Sequence, residues 1–359
     1  MKRETLCLAG LLLCLAALLV CASAAPKFSV RRLNGGRPIL TEKDSVWLYN
    51  YNTAYMPYFD ANGFEMACLA VRVQNLTANA KSIYDVGPSS IAFAFSNTGG
   101  LSFKPISASD TIIAPGPSSE LGCEDPRVVY DWKTKTYYMF YTAVTNGTMP
   151  SDLGDVKAML SLAVNSGNPA ARGDWKQLGY VFPDLKWSKS GALLLSDQVF
   201  HKEHYLFWGD SDICIATTEN LIHYTNTGKC LLKTRSDKFD SQLVESGPEP
   251  LRLSDGNYLF LYNSARKANI ANPKPGWDLE YNLGWAILDK SDPTNVLFRS
   301  EEPVLSPELD WEKCDKNPEG LTPNVVFVEG WKKLAEDSFL VWYQGCDSRI
   351  GVFHLSVQV

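Results

Sequence analysis

The chain has 359 residues, 45% hydrophobic and 21% charged, with 40 acidic against 34 basic side chains and a net charge of −6. This composition excludes a disordered chain, a coiled coil and a small disulfide scaffold. The absence of a long Lys/Arg run, together with the negative balance, argues against nucleic-acid binding. The rings (ten Trp, 16 Tyr, 16 Phe) fall in short alternating runs rather than along helical faces, which points to strands.

In chain order, Lys2 and Arg3 precede an apolar stretch from Leu6 to Cys21, and Ala22-Ser23-Ala24 has the small-x-small pattern read by signal peptidase. We expect residues 1–24 to be a signal peptide, with an uncleaved membrane anchor as the alternative, and 25–359 to be secreted or lumenal. Asn75-Leu76-Thr77 and Asn146-Gly147-Thr148 are sequons for N-glycosylation. Three of the nine cysteines leave with the signal. The remainder (Cys68, Cys123, Cys214, Cys230, Cys314, Cys346) permit disulfides without fixing their pairing, and Cys68, Cys214 and Cys346 lie in strand-like runs where buried thiols are equally expected. No C-x-x-C pair exists and only four His are present, so neither a zinc site nor another metal or organic cofactor is expected.

Beyond the signal a unit recurs five times. Its marker is an aromatic-rich strand: FEMACLAVR from Phe64, YYMFYTAV from Tyr137, HYLFWGDS from His204, NYLFLYNSA from Asn257 and SFLVWYQGC from Ser338. Each is preceded by a leading run (AYMPYFDANG, EDPRVVYDWKTK, SGALLLSDQVFHKE, GPEPLRLSDG, TPNVVFVEGWKK) and followed by another strand-like run, with turn residues between. Five such sheets, none able to bury both faces alone, predict an all-β, five-bladed β-propeller as a single domain; a sandwich or jelly roll does not predict five equivalent triplets.

In a radial array the leading strands run in one direction around the axis, so the loops before them converge on one mouth. This brings together Tyr55 and Pro57 of the first unit, Glu124, Asp125 and Arg127 of the second, Lys189 of the third, Glu245 and Glu249 of the fourth, and Thr322 and Asn324 of the fifth. Carboxylates, cations and rings in one funnel suit a sugar: polar groups bind hydroxyls, rings stack on apolar sugar faces, and paired carboxyls share acid and base work at an anomeric carbon. Asp125 before Pro126 also reads as a turn residue, and Glu245 and Glu249 as a solvated rim.

From about Asn34 onward the chain resembles glycoside hydrolase family 130, the mannoside phosphorylases and mannosidases. The resemblance rests on Gly122-Cys123-Glu124-Asp125-Pro126-Arg127 with the aromatic run Tyr137 to Tyr141, on Lys189-Ser190-Gly191-Ala192, on Gly247-Pro248-Glu249-Pro250, and on Thr322-Pro323-Asn324-Val325-Val326-Phe327. It implies that Asp125 is the general acid, relaying its proton through a sugar hydroxyl in the phosphorylase manner. It further implies that Glu124, Arg127 and Asp347 hold sugar hydroxyls and that Arg72 and Lys189 hold phosphate or substrate; Asp210, Tyr262 and Asn324 are further candidates for substrate binding.

The chain departs from the phosphorylases at two places. Where they carry a His-Arg pair in the third blade it reads Trp208-Gly209-Asp210, and where they have Tyr-His in the fourth it reads Tyr262-Asn263, with Glu245 and Glu249 added nearby. Loss of cations disfavours phosphate as nucleophile and favours water activated by a carboxylate. The expected activity is therefore inverting hydrolysis of β-mannosides with Asp125 as acid and Glu245 or Glu249 as base. The alternatives are a β-mannosyl phosphorylase or mannosyltransferase and, in a different class, a catalytically silent sugar-binding propeller.

Overall fold

The computed structural model describes residues 25–119, 121–146, 156–270, 273–274, 276–314 and 320–359. The expected signal peptide lies outside these residues, as do Gly147 and Thr148 of the second sequon. Asn75 of the first is exposed.

A strand β1 (Lys27–Arg32) opens the described chain. The first blade follows as β2 (Tyr49–Phe59), β3 (Glu65–Gln74), β4 (Ser90–Ala94) and β5 (Thr111–Ile113). The second is β6 (Gly122–Asp131), β7 (Thr136–Asn146), β8 (Val156–Asn165) and β9 (Lys176–Tyr180), and the third is β10 (Ala192–Leu194), β11 (His204–Trp208), β12 (Ile213–Thr218) and β13 (Thr225–Leu232). The fourth comprises β14 (Leu243–Ser246) and β15 (Leu251–Arg252), both paired with β16 (Tyr258–Lys267), then β17 (Leu279–Leu288) and β18 (Val296–Arg299). The fifth is β19 (Val326–Ala335), β20 (Ser338–Gly345) and β21 (Arg349–Gln358), and its outermost strand is β1, which runs antiparallel to β21 from Lys27 opposite Gln358 to Arg32 opposite Phe353. Five antiparallel sheets thus form a five-bladed propeller, and pairing between the two chain ends closes the ring.

The aromatic strands are apolar on both faces because each is wedged between two blades. In β20, Phe339, Val341 and Tyr343 pack toward the fourth blade with Leu259 and Leu261, while Leu340 and Trp342 pack toward the first with Leu69 and Val71. In β7, Met139 and Tyr141 join Cys68 and Phe93, whereas Tyr138 and Phe140 join Leu193 and Leu206. Each fully buried side chain of this size contributes about 1.5–3 kcal/mol. Gly330 permits closest approach at the seam of the fifth and first blades, since a Cβ there would stand 2.4 Å from the Tyr55 backbone nitrogen.

Cys214–Cys230 joins β12 to β13, and Cys314–Cys346 ties the segment before β19 to the β20–β21 turn. Cys68 and Cys123 are buried thiols. Of the three strand-borne cysteines expected to compete as free thiols, only Cys68 is one.

Candidate active site

At the N-terminal ends of the innermost strands lies a funnel of about 380 Å³. Two local irregularities aim its polar side chains. In β6, Glu124 stands opposite Thr142 but Arg127 opposite Phe140, so one extra residue is inserted, and Asp125 sits in the left-handed region with φ of 52°. In β2, Tyr51 faces Arg72 and Thr53 faces Val71; the inserted Asn52 has φ of 42°. The two bulges point Glu124, Asp125 and Asn52 into the same funnel.

Asp125 is the most heavily bonded of these groups. Arg72 Nη1 and Asn52 Nδ2 each donate to its Oδ1 at 2.8 Å, and Lys189 Nζ lies 3.3 Å from its Oδ2. Burial pushes its carboxyl up, but Lys189, Arg72 and Arg127 outweigh this and hold it down at about 2. Lys189 Nζ is also 3.5 Å from Glu245 Oε1, so Asp125 Oδ2 and Glu245 Oε1 are separated by no more than the sum of the two contacts. The pair therefore stands at or below the lower edge of the roughly 6.5–9.5 Å between the carboxyls of inverting hydrolases. Glu245 accepts from Ser190 Oγ, and burial raises its carboxyl against the opposing pull of Lys189 and Arg127. Glu124 pairs with Arg72 Nη2 and is raised by burial, while Arg72 stacks 4.6 Å above the Tyr51 ring. In the fifth blade Gln344 Nε2 donates to Asp347 Oδ1 at 2.6 Å, and in the third Trp187 Nε1 donates to Asp210 Oδ2 at 3.0 Å.

Arg72, Glu124, Asp125, Lys189, Asp210, Glu245 and Asp347 all line the funnel, as does Thr322. Six residues expected at this mouth or in this site do not: Glu249, Tyr55, Pro57, Arg127, Tyr262 and Asn324. Glu249 lines a separate, largely apolar pocket of about 250 Å³ with Tyr55, Pro57 and Trp132, at the C-terminal ends of the same strands. The leading strands of the first and fourth blades begin at Tyr49 and Leu243, earlier than the sequence runs indicated, so Tyr55, Pro57 and Glu249 fall at the opposite end of the axis. Burial there, partly offset by its own backbone N–H, pushes the Glu249 carboxyl up to about 8.

Arg127 is buried beneath the funnel, where it donates to the carbonyls of Ser246, Gly247 and Asp125; it braces the floor rather than a sugar. Tyr262 is buried between the third and fourth blades, its hydroxyl bonded to Asp240 and Arg299. Asn324 is buried with φ of 55° and shapes the turn before β19, its N–H donating to Lys313 O and its carbonyl accepting from Tyr281.

Two of the departures from the phosphorylases are also relocated. Asn263 bonds to the backbone of Val328, and Trp208 packs on Phe182, so neither faces the funnel. Gly209 lets its N–H reach Lys189 O at 2.9 Å, and a Cβ there would stand 2.2 Å from Asp212 O; its neighbour Asp210 does reach the funnel.

The sequence reading missed Asn52, Lys274, Gln344 and four lining rings, Trp187, Trp277, Tyr281 and Phe327, of which Trp277 stacks on Tyr281. It also missed Glu329, which has no solvent-exposed side-chain surface and lies 3.2 Å from Arg127. Trp187 stands two residues before Lys189, in a segment whose composition looked like ordinary loop. Asn52 carried no signal, because only the bulge turns it inward.

A five-bladed propeller whose axial funnel joins clustered carboxylates, two carboxylate-paired cations and stacking rings defines a carbohydrate-active protein of the propeller glycosidase class. A family model described as beta-1,4-mannooligosaccharide phosphorylase matches residues 80–359, and the chain belongs to this family, glycoside hydrolase family 130. It is similar to a 1,2-β-oligomannan phosphorylase of Thermoanaerobacter sp. (strain X514), with 32% identity over 256 residues covering 71% of this chain and 73% of the relative. It is also similar to a β-1,2-mannobiose phosphorylase of the same organism, with 31% identity over 269 residues covering 74% and 76%. Its fold matches a solved structure from work on GH130 glycoside hydrolases that target β-1,2 mannosidic linkages in Candida mannan, with TM-score 0.69, 22% identity, and coverage of 93% of this chain and 95% of that one.

Proposed function

We propose that the protein cleaves β-1,2-linked mannosides in this funnel, with Asp125 delivering the proton that releases the glycosidic oxygen. The linkage is supported by the two relatives above 30% identity, which are named for β-1,2-oligomannan and β-1,2-mannobiose. Arg72 and Lys189 hold Asp125 ionised, so the acid role requires a bound sugar to displace one of them from it. Desolvation under the sugar then favours the protonated carboxyl.

For the acceptor, the observation that carries our reading is the charge of the lining: five carboxylates (Glu124, Asp125, Asp210, Glu245, Asp347) against three cations (Arg72, Lys189, Lys274). Arg72 and Lys189 are each already shared between two carboxylates. An inorganic phosphate entering this field meets net repulsion, whereas water meets a raised carboxylate, Glu245, able to act as base. Asp210 is a second carboxylate close enough to act on Glu245.

The second reading is phosphorolysis. It is supported more directly by kinship, because the family description and both relatives are phosphorylases. Lys274, which has no ion pair among the described residues, would supply the uncommitted cation. Incubating the purified protein with β-1,2-mannobiose decides between them. Free mannose as the sole product, at a rate independent of phosphate, supports water; strictly phosphate-dependent mannose 1-phosphate rejects it. We also propose a secreted or lumenal location, supported by the two disulfides, which persist in oxidising compartments.

A further inference from the structure

Beneath the funnel floor lies a buried carboxyl that the reaction as described does not use. Glu329 projects from β19 of the fifth blade, and its side chain is wholly inaccessible. Its Oε1 accepts from Asn52 Nδ2 at 3.1 Å and lies 3.2 Å from Arg127 Nη1, while its Oε2 has no partner among the described residues. Both neighbours then reach one residue: the same Asn52 Nδ2 donates to Asp125 Oδ1 at 2.8 Å, and the same Arg127 Nη1 donates to Asp125 O at 3.1 Å. Side chain and backbone of Asp125, a residue in the left-handed region on a bulge, are thus both tethered to groups that Glu329 holds.

We propose that Glu329 is a positioning residue for Asp125, anchoring through Asn52 and Arg127 the bulge that presents the Asp125 carboxyl to the glycosidic oxygen. The proposal rests on the acid role assigned to Asp125. Glu329 works as an uncharged acceptor. The charged groups facing it are Arg127 and Asp125 of β6 and Glu245 of β14, and burial together with the two carboxylates outweighs the pull of Arg127 and raises its carboxyl well above the ordinary range. Oε1 receives the contacts of Asn52 and Arg127, which leaves Oε2 as the oxygen free to carry the proton of the neutral form. An ionised Glu329 would consume the positive charge of Arg127 that otherwise lowers Asp125. The neutral form leaves that charge available and still accepts at Oε1.

The test uses three variants with β-1,2-mannobiose turnover. Glu329→Gln keeps an uncharged acceptor in place and should retain kcat within about threefold, with an unshifted pH profile. Glu329→Leu removes the acceptor and should lower kcat about 30-fold or more while KM changes less than about threefold. Asn52→Gly, which tolerates the positive φ but removes the amide, should lower kcat similarly, and the double variant should lose little more than either single one. If Glu329→Leu does not fold, the Gln and Gly variants carry the test alone. A pH profile displaced by a unit or more in Glu329→Gln, or wild-type kcat in Asn52→Gly, would overturn the proposal. Carboxyl-carbon NMR titration of Asp125 reads the network without turnover: the Gln variant should keep its low value and the Gly variant should raise it. If the wild type cleaves no mannoside yet shows that pattern, the substrate assignment fails and the positioning role stands; identical titrations in wild type and Asn52→Gly sink the role itself.

Discussion

Lys189→Met removes the ammonium that stands between Asp125 and Glu245 at nearly unchanged side-chain length. Lys189 is the strongest of the groups that lower Asp125, whose carboxyl falls from its ordinary 3.8 to about 2. At about 1.4 kcal/mol per pH unit this depression is worth roughly 2.5 kcal/mol, and with the Asp125 side chain only 5% exposed it needs no large discount for screening. Because the folded value lies below the unfolded one, the stabilisation is fully present above about pH 5, roughly half lost by pH 3, and gone below 2. Loss of Lys189 also raises Glu245, which deepens the deficit at neutral pH. The share of this stabilisation that Lys189 supplies should be lost in the variant, so the wild-type advantage should shrink by about 1 kcal/mol between pH 7 and pH 3. Urea unfolding at fixed pH values between 3 and 7 measures it. Relief from burying the ammonium adds a pH-independent offset, so the change of the gap with pH is the readout. Parallel stability curves across that range would refute the claim that Lys189 holds Asp125 ionised.

Asp125→Asn should abolish mannoside turnover, with a loss of 10³-fold or more, and leave the circular dichroism spectrum unchanged; retained kcat removes Asp125 from the acid role. Glu245→Gln and Glu249→Gln should separate: the first lowers kcat by about 100-fold, and the second leaves it intact because Glu249 lies at the other end of the axis. Since the Glu249 carboxyl is raised from 4.5 to about 8, its ionisation costs stability above pH 4.5. Glu249→Gln should gain about 1–3 kcal/mol in urea unfolding at pH 7, and this gain should vanish below pH 4. Opening Cys314–Cys346 with paired Ser substitutions should cost about 3–4 kcal/mol and raise KM, because Asp347 of the funnel wall is the next residue along the chain.

Which parts of this could be read from sequence follows from where each residue sits between the blades. The five middle strands were legible because a strand packed on both sides is apolar at every position, as in Phe339, Leu340, Val341 and Trp342. The outer strands were not: β13 is mostly exposed, and β1 acquires its role only by pairing with residues 353–358 at the other end of the chain. Among the site residues, Glu124, Asp125, Lys189 and Glu245 were legible as charges at the starts of leading strands. Glu249 was misplaced because four residues along an extended chain cover about 13 Å, enough to carry a side chain from one end of the channel toward the other. Arg127 reads as a ligand in its motif, yet its fork is engaged by three carbonyls, the Glu245 carboxylate and the uncharged Glu329 carboxyl. Glu329 was invisible, a lone acid in the apolar run Val325-Val326-Phe327-Val328, because its partners come from the first and second blades.

A perfectly regular propeller would have no such site. In an unbroken strand successive side chains point to opposite faces, so Glu124 and Asp125 could not both enter one funnel. The inserted residue in β6 breaks that alternation, and left-handed residues recur in and next to the site: Asn52, Asp125, Ser190, Asn324 and Asp347, with φ between 42° and 60°. Such conformations cost about 1–3 kcal/mol each and persist only where surrounding contacts enforce them. Here the contacts are those made by the buried layer of Arg127, Glu329 and Asn52, together with Ser190 on Glu245 and Gln344 on Asp347. The repeat supplies five equivalent strand ends, and the chemistry is concentrated where individual blades depart from it. Substitutions in the floor, though they touch no sugar, should therefore alter kcat through the aim of Asp125 more than they alter affinity.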